Sequence, residues 1–230
     1  TLMEPVIQGV PTQMTPLSLG DDNTRKVDLG FDFTYWGQTF SSAWVGSNGT
    51  VSFSTSANLC CSGMLMEQAP RNTIYAFWTD LVSYSGSPYY KKADNSILFG
   101  WYGTLEYGTN KQFTFEIGLS DDNAIRFNYG SMPDLYYHYA AAGITGPEAT
   151  DNIQLFYGRN SGVLAYKSGV LTWTEPQPVV QTVDCAVTPM DPSCPPAVVT
   201  PSPAITNATI ETIQDAAAAD RAADQSDIAA

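Results

Sequence analysis

Val27, Leu29, Phe31, Phe33 and Tyr35 recur at every second position of residues 26–36, and Asp28, Asp32 and Thr34 fill the gaps between them. Side chains alternate between the faces of an extended strand, so this repeat predicts a strand with one buried face and is incompatible with a helix. Runs of the same kind follow at residues 50–54, 73–81, 96–102, 112–119, 124–129, 139–144, 153–157 and 170–174. The segments between them are turn formers: Ser47-Asn48-Gly49, Ser85-Gly86-Ser87-Pro88, Asp94-Asn95, Gly108-Thr109-Asn110 and Asp121-Asp122-Asn123. These residues tolerate left-handed backbone or hydrogen-bond their own main chain. No helical period occurs before residue 206. About nine or ten short strands without intervening helices predict an all-β fold, an antiparallel β-sandwich, with a jelly roll or closed barrel also compatible with the pattern.

A boundary falls near residue 175. Every aromatic residue, 13 Tyr, 10 Phe and 5 Trp, lies between Phe31 and Trp173, whereas residues 176–230 have none and carry eight of the 15 prolines. A segment so poor in large apolar side chains cannot offset its own ordering entropy. The chain therefore divides into an N-terminal arm (1–25), a β-sandwich body (26–175), a Pro-rich extended arm (176–205) and an Ala- and Asp-rich tail (206–230). The tail reads as a short helix with Thr206 or Asn207 as its cap and Ile210 and Ile213 on one face. The formal charge of −13, with 10 Lys and Arg against 23 Asp and Glu, offers no basic footprint for nucleic acid. No run approaches the ~20 apolar residues of a membrane span. The chain starts at Thr1 without a leader-like segment, which reads as the mature product of an exported precursor.

Three motifs occur in a characteristic order: residues 29–37 with Phe31, Phe33 and Trp36-Gly37; residues 44–53 with Asn48-Gly49 and Phe53; and residues 74–81 with Phe77-Trp78 and Asp80. Together with the strands around Phe113, Phe127 and Gly143, this series resembles the NIDO domain of nidogen-like extracellular proteins over residues 29–157. Ala76 stands where that family has proline. The resemblance implies an extracellular matrix or adhesion domain without catalytic residues.

The four cysteines allow three pairings in an oxidising compartment. Cys185 and Cys194 flank a short Pro-containing loop and are expected to pair. Cys60 and Cys61 are adjacent, and a bridge between neighbours strains the intervening peptide, so the alternative staples them to Cys185 and Cys194. Adjacent thiols lack the spacing of a zinc site. Asn48 and Asn207 head glycosylation sequons, although Asn48 also reads as a plain turn residue. Trp78 is expected in the core and Asp80 at a strand end, binding backbone amides.

Candidate chemistry is sparse. The one histidine, His138, lies among tyrosines with no nucleophile motif, and reads as a loop or strand-face residue. Glu106, Glu116, Asp121 and Asp122 are the acids from which a glycosidase pair would be drawn. Asp21, Asp22, Asp121 and Asp122 are candidate calcium ligands, since loop carboxylates suit that ion, though they also resemble ordinary Asx turns. Tyr89, Tyr90, Trp101, Tyr102, Tyr136 and Tyr137 are candidates for a glycan platform, a subunit interface or core. Val6, Ile7 and Val10, with Val179, Val183 and Val187, have the apolar character of strands that add to a sheet edge. The reading that joins these features is a secreted structural protein that assembles with copies of itself through its arms into a filament or matrix layer. The alternative is a monomeric carbohydrate-binding module tethered by its tail.

Overall fold

The computed structural model describes residues 13–54, 60–83 and 87–172, and the backbone of 173–174 and 204–206. Two antiparallel sheets face each other. The larger contains β1 (Thr15–Pro16), β7 (Tyr89–Ala93), β8 (Ser96–Glu106), β9 (Gln112–Ser120), β10 (Ile125–Tyr129), β13 (Ser168–Thr174) and β14 (Ala204–Thr206) in that lateral order, with β6 (Leu81–Val82) also paired to β8. The smaller runs β12 (Asn152–Gly158), β11 (Ala140–Thr145), β5 (Thr73–Trp78), β4 (Thr50–Ser52), β3 (Gln38–Gly46), β2 (Thr24–Tyr35). The sandwich expected from the alternation is therefore present. The described residues contain 14 strands rather than nine or ten. Several of the additional ones are short or polar, such as β1, β6 and β7, and their backbone pairing leaves little hydrophobic period to read.

Aromatic rings fill the space between the sheets. Trp101 stacks on Phe115 at 5.1 Å between centroids, and Phe77 stacks on Phe113 at 5.2 Å. Two polar tips cross this core and find backbone carbonyls on the opposite sheet. Trp101 Nε1 donates to Gly46 O at 3.1 Å, and the Tyr129 hydroxyl donates to Ala76 O at 2.9 Å. Each lets a large ring be buried without stranding its donor. Phe31 departs from the expected alternation and is only half-buried. The β2–β3 register shifts between Asp28 and Phe33, around Gly30 at φ +88°, and Phe31 packs against the core from its margin while Phe33 and Tyr35 are fully inside.

The Asn48-Gly49 hairpin has a three-residue loop rather than the two-residue turn its sequence resembles, because Gly46 pairs with Thr50. Gly49 takes φ +77° and its carbonyl accepts from Ala76 and Phe77; a Cβ there would lie 2.2 Å from Phe77 O. Glycine is required at this position on both counts. On the outer face of the smaller sheet, residues 60–72 cover a second apolar cluster of Met66, Ala69, Tyr75, Trp78 and Ala141. Trp78 is buried in this second cluster, so its expected burial holds, on the outer side of the sheet.

Candidate functional site

The site begins at the end of β8. Gly103, at φ +63°, carries a bulge between Tyr102 and Thr104, and the strand continues to Glu106, which is 0 % exposed. A carboxylate buried so deeply must find donors. Its partners come from the 130–139 loop between β10 and β11. Tyr136 N–H donates to Oε2 at 2.8 Å; Tyr137 N–H and His138 N–H donate to Oε1 at 2.7 and 3.0 Å; His138 Nδ1 lies 3.1 Å from Oε1. Burial alone would raise the Glu106 pKa, but these backbone and ring partners together outweigh it and hold the carboxyl below its ordinary range. The amide-binding acid expected at Asp80 is thus Glu106. Asp80 instead faces His138 Nε2 at 3.7 Å. Burial, opposed by the His138 charge and reinforced by Asp22, Asp21 and Glu106, raises its pKa.

The loop held by Glu106 displays tyrosines. Tyr136 and Tyr137 are 60 % and 56 % exposed and meet edge to face at 4.6 Å. Lys111 approaches the Tyr136 ring and donates to Asp134 O, while Arg159 lies 4.7 Å from the Tyr139 ring centre and donates to Tyr137 O. Tyr107 and Tyr166 are exposed as well. Tyr166 follows a short 3-10 turn at Ser161–Leu164, and no pattern in the sequence singled it out. The other four aromatics of the expected set belong elsewhere. Trp101 is core, and Tyr102 is buried, its ring lying where a side chain at Gly100 would be. Tyr89 and Tyr90 are half-buried on β7, opposite Pro16 and Thr15 of β1. A platform containing Trp101 and Tyr102 is therefore ruled out by their burial.

Glu116 on β9 is the second deeply buried glutamate, 6 % exposed. Glu116, Tyr102 and Asn128 alternate with Phe115, Trp101 and Phe127, and so fall on the face of the sheet away from the core. The Tyr102 hydroxyl donates to Glu116 Oε1 at 2.6 Å and Asn128 Nδ2 to Oε2 at 3.2 Å. Burial, only partly offset by these two bonds, raises the Glu116 pKa, and burial with the adjacent carboxylate raises that of Tyr102. Both glutamates are spent on internal partners, an arrangement unlike the paired acids that flank a glycosidic bond.

Asp21 and Asp22 meet Asp80, each offering a carboxylate oxygen within 4.8 Å of the others, an oxygen set of the kind calcium takes. Asp121 and Asp122 lie apart from this cluster: Asp122 accepts from Ser120 Oγ and Ala124 N–H within its own turn. Asn48 is 3 % exposed, with Nδ2 donating to Asp22 at 2.7 Å and Oδ1 accepting from Leu81 N–H at 2.9 Å. A glycan on that nitrogen does not fit the fold, and the turn role accounts for the residue. Cys60 and Cys61 are joined as a vicinal disulfide, the pairing their adjacency had counted against. A bridged pair offers no thiolate to a metal beside Asp22. Cys185, Cys194, Asn207, Val6, Ile7, Val10, Val179, Val183, Val187, Ile210 and Ile213, with the expected C-terminal helix, lie outside the described residues.

An all-β sandwich in which Glu106 braces a loop and Glu116 is bonded within its own sheet has the build of an extracellular binding or structural module. The chain belongs to the NIDO-related family, whose pattern it matches over residues 5–179, a longer span than the 29–157 of the resemblance. No curated protein and no solved structure matches it. Among the described residues, no helix is long and apolar enough to cross a membrane.

Proposed function

We propose that this chain is an extracellular, non-catalytic structural module that joins copies of itself through its terminal arms into a filament or matrix layer. One observation supports the reading above others: the arms close the larger sheet at both edges. β1, from the N-terminal arm, pairs with β7, and β14, from beyond the body, pairs with β13. Strand addition of this kind saturates edge hydrogen bonds and works equally well within a chain or between chains. The family membership fits such a module. Light scattering and negative-stain electron microscopy on the full chain test the reading. Particles far larger than the 24.9 kDa chain are expected at high concentration. Removing residues 176–230 should abolish them while leaving the tryptophan fluorescence of the body unchanged. A full chain that stays monomeric at every concentration refutes the proposal.

A second reading rests on the exposed tyrosines of the 130–139 loop. Tyr136 and Tyr137, held from beneath by Glu106 and flanked by Lys111 and Arg159, combine aromatic faces and polar groups in the manner of a sugar-binding surface. Binding on a glycan array that disappears in Tyr136→Ala and Tyr137→Ala variants supports it; an array without signal removes it.

A further inference from the structure

We infer that β14 is a donated strand: residues 204–206 of one copy complete the β13 edge of a second copy. The inference rests on the self-assembly reading above and names the segment and the edge that carry it. In the pair itself Thr172 lies opposite Thr206, Trp173 opposite Ile205 and Thr174 opposite Ala204. β13 therefore ends directly beside the start of its partner. An antiparallel pair connected at that point needs a turn of about two to five residues. Residues 175–203, about thirty, stand there instead, with eight prolines among them. None of that length is needed to form the pair within one copy.

The length is sufficient to form it between copies. A proline-rich chain gains about 3.1 Å per residue, so the connection reaches up to roughly 90 Å. A body of this size has a radius of gyration of only about 15 Å. Folding the connection back so that its ends lie one strand spacing apart costs chain entropy that grows with loop length, and proline stiffness adds to that cost. Donation to a neighbour avoids the closure. The acceptor is suited to it: without β14, β13 is the end of the sheet, and Thr172-Trp173-Thr174 contains β-branched and aromatic residues with no charge and no proline. The donor Ala204-Ile205-Thr206 is uncharged too, and Pro203 before it cannot extend the ladder.

Two physical conditions set the balance. A connection of about thirty residues presents its own strand at an effective concentration on the order of millimolar, so pairing within a copy prevails in dilute solution and exchange prevails where copies are crowded. The formal charge of −13 on each copy opposes approach, and salt screens that repulsion. Exchange should therefore rise with concentration and with ionic strength.

The test uses the full chain carrying both Thr172→Cys and Thr206→Cys, prepared once with nitrogen-15 and once without, mixed in equal amounts while dilute and then concentrated. After oxidation and digestion, mass spectrometry identifies the peptide joining positions 172 and 206, which its mass separates from links of the native cysteines. Mixed-isotope links approaching half of the total at high concentration, and falling at least several-fold on dilution before oxidation, are the expected result. Links of like isotope alone, at every concentration and salt, overturn the inference, as does the absence of any 172–206 link. Light scattering on the same samples separates the two failures. Large particles with only like-isotope links would leave self-assembly standing and send the search to another surface. Monomers with only like-isotope links would remove both.

Discussion

Glu106 and Glu116 lie on neighbouring strands of one sheet, and both are almost wholly shielded from water, yet their surroundings push them in opposite directions. At Glu106, three consecutive backbone N–H groups and the His138 ring converge on the carboxylate and overcome the burial that would raise its pKa. At Glu116, burial prevails over one hydroxyl and one side-chain amide, and the carboxyl is raised. The difference teaches that burial alone does not define the state of an acid; the number and type of donors do. It also separates two roles. Glu106 anchors residues 136–138 of a loop that Lys111, Arg159 and the buried Leu135 also hold, whereas Glu116 closes a polar row on a sheet whose strands are already paired.

The sharpest break of this contrast is Glu106→Ala. It leaves the amides of Tyr136, Tyr137 and His138 without their acceptor, and the expected loss is about 3 to 5 kcal/mol, limited by water reaching the partly exposed loop. Urea unfolding measures the loss, and hydrogen exchange should rise first at these three amides. A loss below about 1 kcal/mol would show that the loop stands without its anchor.

Glu116→Gln should have the contrary effect. Gln keeps the acceptor facing Tyr102, and Asn128 Oδ1, which lacks a hydrogen-bond partner among the described residues, can receive a new N–H after rotation of its amide. Removing the buried charge is expected to change stability at pH 7 by no more than about 1 kcal/mol, in the stabilising direction. A loss comparable to that of Glu106→Ala would overturn the distinction.

Titration sharpens it further. The folded pKa of Glu106 lies below its ordinary 4.5, so its contribution is complete above pH 4.5 and is lost as pH falls through the folded value. That of Glu116 lies above 4.5, so its ionisation penalty is complete at high pH and is relieved as pH falls through the raised value. Melting temperatures of the parent and Glu116→Gln should therefore converge on acidification from neutral pH towards 4.5. A gap that widens over this range would contradict the assignment. The smallest effect belongs to Tyr137→Ala, which removes an exposed ring while leaving its backbone N–H on Glu106. Its stability should shift by no more than about 0.5 kcal/mol, and a larger loss in thermal unfolding would make the tyrosines structural rather than displayed.

The strands with a strong period were legible from residue order, and so was the burial of Phe33, Tyr35, Phe113, Phe115 and Phe127. For Tyr102 the residues left platform, interface and core open, and burial selects the core; the strand read as ending at residue 102 runs on through a bulge to Glu106. β3 was recognised only at its Trp44 end, because Ser41 and Ser42 with Thr39 give it an undistinguished polar start. Glu106 was legible only as one candidate of a glycosidase pair and not as an anchor, since its partners lie about thirty residues further along the chain.

Residue order by itself determined the all-β class, the aromatic body and the boundary near residue 175, because alternation and composition act locally on every strand and need no partner to be read. The tertiary structure alone decided which acid is an anchor, that Asn48 is enclosed, that Asp21 and Asp22 meet Asp80, and that residues 204–206 lie on β13. Each of these depends on groups distant in the chain arriving at one place. A carboxylate or a strand edge has no preference of its own among such partners until the fold has excluded water and left particular donors within reach.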